Sequence, residues 1–116
     1  MLAQELESKY LIPAIRKALV ELMLEENIKK KDIANRLKLT KSAISQYFSD
    51  KRGNNFVFDK TLAKTCCDNI VSGSNYVKEI QKLIRNLKVS RKICEIYRIN
   101  NLRPDDCEVC GNGISG

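Results

Sequence analysis

Five cysteines and no histidine define the chemistry open to this chain of 116 residues. Without an imidazole there is no Ser-His-Asp triad, no Cys-His dyad, no His-bound zinc and no His-ligated haem. The cysteines are Cys66, Cys67, Cys94, Cys107 and Cys110. Their odd number argues against a disulfide framework. So does the acidic opening MLAQELESKYLIPAIRK, which lacks the basic segment and apolar run of a secretion signal. Reduced thiols in a cytoplasmic chain are expected instead. Cys107-x2-Cys110 lies in a turn-forming stretch from Arg103 to Gly113, and this spacing lets two thiolates converge on one ion or cluster. Exposed paired thiols without such a partner would be an oxidation liability. The second C-x2-C of a zinc ribbon is missing. The expected cofactor is therefore an iron–sulfur cluster, [4Fe–4S] or [2Fe–2S], with structural zinc as the alternative and a thiol switch or plain buried thiols as the third reading. The ligands would be Cys67, Cys94, Cys107 and Cys110. At about 100° per residue, Cys66 and Cys67 fall about 50° to either side of the apolar face formed by Leu62, Ala63, Ile70 and Val71, so Cys66 stands as the alternative to Cys67.

The second chemical signal is charge. The chain carries 21 Lys and Arg against 14 Asp and Glu, a formal +7. Residues 1–28 are net −2, residues 29–52 are net +6, and the remainder is net +3. The excess is thus concentrated in Lys29, Lys30, Lys31, Arg36, Lys38, Lys41, Lys51 and Arg52, opposed only by Asp32 and Asp50. Such a stripe is the footprint of a phosphate-backbone binder, and its plain alternative is a solvated basic face. The acids are scattered and form no acid/base constellation, so an enzyme is not expected. No stretch approaches the roughly 20 apolar residues that span a bilayer, so no membrane partner is expected.

These side chains must be positioned by helices. Leu11, Ile12, Ile15, Leu19, Leu22 and Met23 recur at helical spacing between Tyr10 and Glu26, with Pro13 in the first turn and Asn27 as a stop. A short helix follows over residues 31–37 with Ile33, Ala34 and Leu37 inward. After Lys38-Leu39, Thr40 has N-cap chemistry for a helix over 41–48, with Ala43, Ile44 and Tyr47/Phe48 on its inner face. Asp59 caps a fourth helix that ends at Ser72-Gly73. Asn75 or Ser74 starts a fifth through Val77, Ile80, Leu83, Ile84 and Leu87, and Ser90 is a candidate cap for a sixth through Ile93, Cys94, Ile96 and Tyr97. No period-two strand pattern occurs. The expected fold is all-α, with a DNA-binding region over 1–58 and a helical dimerisation and cysteine-cluster region over 59–116 packed as one unit.

The segment KKDIANRLKLTKSAISQYFS, residues 30–49, resembles the helix-turn-helix of phage-repressor-like (Xre-type) transcriptional regulators. Ala34 is the small residue where the two helices cross. Ile33, Leu37, Leu39, Ile44 and Tyr47 take the buried positions, and SQYFSDKRG resembles the exit from the recognition helix. The departure is Lys38, where the family prefers Gly because the turn favours positive φ. The resemblance implies that Thr40, Lys41, Ser42, Ser45 and Gln46 face the major groove. Gln46 is suited to adenine, Lys41 to guanine or phosphate, and Lys51 and Arg52 to phosphates. It also implies a homodimer on pseudo-palindromic double-stranded DNA, for which the Val77–Leu87 face is a candidate interface or core. More loosely, the helix-turn-helix with a cysteine-bearing tail resembles small archaeal regulators of this type, and the uneven cysteine spread is closer to iron–sulfur regulators than to zinc fingers. The leading expectation is a cytoplasmic, sequence-specific regulator tuned by its cluster. The alternative is a basic nucleic-acid-binding protein of low specificity with structural zinc.

Overall fold

The computed structural model describes residues 1–49 and 56–105, with the side chains of residues 47–49 outside the description. Every regular element among the described residues is helical, so the fold is all-α. The order is α1 (Ala3–Leu6), a π turn (Glu7–Leu11), α2 (Ile12–Glu25), α3 (Lys30–Leu37), α4 (Lys41–Ser49), a 3-10 turn (Lys60–Ala63), α5 (Lys64–Val71), α6 (Tyr76–Val89) and α7 (Lys92–Ile99).

The first helical stretch begins seven residues before the expected start at Tyr10, and the reason lies in the π turn. Leu6 and Leu11 are five residues apart, a spacing that would send them to different faces of a regular α-helix. The wider turn, closed by the Ile12 N–H on the Glu7 carbonyl, keeps both in the core. From there Leu11, Ile15, Leu19 and Met23 repeat every four residues, all fully buried. Pro13 therefore sits in the first turn of α2, as expected, but that turn continues an earlier helix. The Leu2 N–H donates to the Glu5 carboxylate at 2.7 Å and caps the start. At the other end Asn27 takes φ 64°, and the Ile28 N–H returns to the Met23 carbonyl at 3.0 Å.

The α2 helix is the spine against which α3, α4, the 3-10 turn and α5 pack, while α6 joins α5 to α7. One apolar cluster runs from Leu6 through Ile44, Cys67 and Leu83 to Tyr97, so the described residues before and after position 58 share a core. Local caps mostly fall where the residue types place them. The Asp59 carboxylate accepts from the Thr61 N–H at 3.0 Å, although what it opens is a 3-10 turn before α5. Asn75 accepts from the N–H groups of Val77 and Lys78, at 2.9 and 3.2 Å. Gly73, at φ 115°, ends α5 in a conformation that favours glycine. Ser90 is a correction: its hydroxyl donates back to the Asn86 carbonyl at 2.8 Å and closes α6, and α7 starts from Arg91 at φ 63°.

Candidate nucleic-acid interface

The α3–α4 pair is built by local signals. Ile33 and Leu37 of α3 and Ile44 of α4 are fully buried, and Ala34 is nearly so. Leu39, in the connection, is half-buried against the core. Between the helices Lys38 adopts φ 56° and ψ 41°, the left-handed conformation that the turn requires. The Leu39 N–H returns to the Ala34 carbonyl at 2.9 Å, which completes a Schellman-type stop. Two residues later the Thr40 hydroxyl accepts from the Ala43 N–H at 3.0 Å and starts α4.

Thr40, Lys41, Ser42, Ser45 and Gln46 are exposed, while Ile44 is buried. Lys29, Lys30, Lys31 and Lys38 are exposed as well. None of these lysines, nor Lys41, forms an ion pair among the described residues, whereas Lys60 pairs with Glu25, Lys64 with Asp68, Lys82 with Glu79 and Lys88 with Glu7. Lys29 is the N-cap of α3, and Lys30 and Lys31 open its first turn, where the helix dipole disfavours cations and only Asp32 offsets them.

One member of the basic stripe is used inside the protein. Arg36 donates through Nη1 to the carbonyls of Ile70 and Val71, at 3.1 and 3.0 Å, and so binds α3 to the C-terminal end of α5. Lys51 and Arg52 lie outside the described residues, as do the side chains of Tyr47 and Phe48. Of the Val77–Leu87 face, Ile80, Leu83 and Leu87 are core, Ile84 is half-buried and Val77 is exposed.

Three of the five cysteines lie among the described residues. Cys66 and Cys67 are both free thiols buried on α5. Burial, with Glu79 beside one and Glu26 beside the other, pushes each thiol up to about 12, so neither is a ready thiolate. Cys94 lies half-buried on α7. Cys107 and Cys110 lie outside the described residues. Cys67 is instead grouped with two residues that spacing could not single out: its Sγ, a Glu26 carboxylate oxygen and an Asp68 carboxylate oxygen all lie within 4.8 Å of one another. Glu26 is 41 residues away in sequence, so only the packing of α2 on α5 reveals it. Among the described residues no helix is long and apolar enough to cross a membrane. No family model, curated protein or solved structure matches this chain.

Proposed function

We propose that the chain is a DNA-binding transcriptional regulator that presents α4 to the major groove, with Thr40, Lys41, Ser42, Ser45 and Gln46 as the base-facing set. The observation that carries this reading is the contrast in charge pairing. Among the described residues, lysines over 29–41 stand exposed without acidic partners, three of them at a dipole-disfavoured helix start, beside a helix whose exposed residues are mostly short and polar. The Xre-type spacing of residues 30–49 supports the same reading, and implies a dimer on paired half-sites.

Selection from a randomised duplex pool, followed by titration at several salt concentrations, tests it. A preferred site should emerge, and log affinity should fall linearly with log salt, by about 0.9 for each phosphate neutralised. Lys51→Gln and Arg52→Gln should each flatten the slope by about one unit. Salt-independent binding would overturn the reading. Strong salt dependence with no preferred site would favour the low-specificity alternative.

A further inference from the structure

We infer that Glu26, Cys67 and Asp68 form a binding site for a thiophilic divalent cation of the zinc class, at the corner where α2 turns into α3. The inference is independent of DNA binding. The three donor atoms lie within 4.8 Å of one another and come from two helices that the core holds together. The Cys67 Sγ and Glu26 Oε2 are 3.6 Å apart, which is a long, weak contact for a thiol hydrogen bond. It is close to the edge of a coordination tetrahedron: bonds of about 2.3 Å to sulfur and about 2.0–2.2 Å to oxygen place the two donors about 3.5 Å apart.

Burial points the same way. Cys67 is fully buried, and its only hydrogen bond among the described residues is that contact with Glu26. Both carboxylates are exposed, so they can take up an ion at the surface and hand it to the sulfur beneath them. The donor set selects the class. One sulfur with two carboxylate oxygens suits borderline-soft zinc, whereas magnesium and calcium take oxygen alone and copper(I) favours sulfur. Three protein donors leave a fourth position for water. Lys64, whose Nζ is 3.5 Å from Asp68 Oδ1, is the cation that competes for the site. Glu26 is also the C-cap of α2, four residues before α3 starts. A bound ion would therefore tie α5 to the corner that sets the direction of α3.

The test is titration of the reduced full chain with Zn2+ or Cd2+ alone, after Cys94, Cys107 and Cys110 are replaced by Ser. The metal displaces the Cys67 proton to solvent, so one equivalent should bind saturably, release about one proton and bind more tightly as pH rises, and Cd2+ should give a sulfur-to-metal charge-transfer band. Glu26→Gln and Asp68→Asn change exposed side chains, and circular dichroism checks their fold; each should weaken binding by about tenfold or more. Lys64→Gln should tighten it several-fold, an effect that a purely structural role for Lys64 would not produce. Cys67→Ser should remove the band and Cys66→Ser should keep it. Absence of saturable binding overturns the site. So does binding that both carboxylate variants leave undiminished, or a band that follows Cys66. None of these readouts involves DNA, so failure here leaves the reading of α4 standing.

Discussion

The Arg36 guanidinium donates to the backbone carbonyl of Ile70 at 3.1 Å, and the same nitrogen reaches the next carbonyl, that of Val71. These carbonyls belong to the last turn of α5, where intrahelical donors run out and the helix dipole favours a cation. A residue that counts toward the basic stripe is therefore a clamp between α3 and α5. Arg36→Met should keep the stem's packing and lose the clamp, at a cost of about 1–2 kcal/mol in urea unfolding. The salt slope of DNA binding should stay unchanged. A lowered slope with unaltered stability would show that Arg36 serves phosphate instead.

Lys38 gives a test of the turn. At φ 56° a side chain carries a left-handed penalty of about 1–2 kcal/mol, while glycine avoids it and gives back part through its freer unfolded chain. Lys38→Gly should raise stability by about 0.5–1 kcal/mol, and Lys38→Val should lower it by more than 1 kcal/mol. Thermal unfolding of the two variants measures both. If valine were tolerated as well as glycine, the connection between α3 and α4 would not have this conformation.

On α4, Gln46→Ala should cost about 1–3 kcal/mol on the selected site and much less on random duplex, because an amide that reads adenine contributes only where adenine is present. Equal losses on both would place Gln46 against the backbone. Thr40→Ala combines two roles and should separate from Gln46: it removes the cap on the Ala43 N–H, so stability should fall by about 1 kcal/mol alongside any loss in affinity.

The features legible in the sequence are those that act over one or two turns. Thr40, Asp59 and Asn75 have short side chains that can reach only nearby N–H groups, so residue type and position suffice to place them. Lys38 is marked only by the resemblance, whose pattern sets the turn there and prefers glycine in it. The helix start at Ala3 was hidden because Pro13 is read as a beginning, while the π turn that keeps Leu6 and Leu11 together has no compositional signature. Ser90 satisfies the same local chemistry in either direction, and the end of α6 claimed it. Arg36 with Ile70, and Glu26 with Cys67 and Asp68, are meetings across more than thirty residues. Only the packing of the helices decides them.

The two thiols on α5 predict how stability responds to alkali. Burial is the chief cause that lifts Cys66 and Cys67 from 9.0 to about 12, with Glu79 and Glu26 next, and burial also raises Tyr97. In the unfolded chain these thiols lose their protons near pH 9; in the folded chain they keep them. Between pH 9 and 12 the native state thus binds more protons than the unfolded state, and the free energy of unfolding must fall as pH rises. The stability is fully present below about pH 9 and is lost progressively towards pH 12. Urea midpoints measured from pH 8 to 11, with reductant and chelator present, should decline steadily, and replacing both Cys66 and Cys67 by Ala should flatten that decline. At pH 8 a thiol reagent should modify both slowly in native protein and at once in denaturant. A midpoint that stays level to pH 11, or two thiols that react at the denatured rate in folded protein, would show that α5 does not bury them.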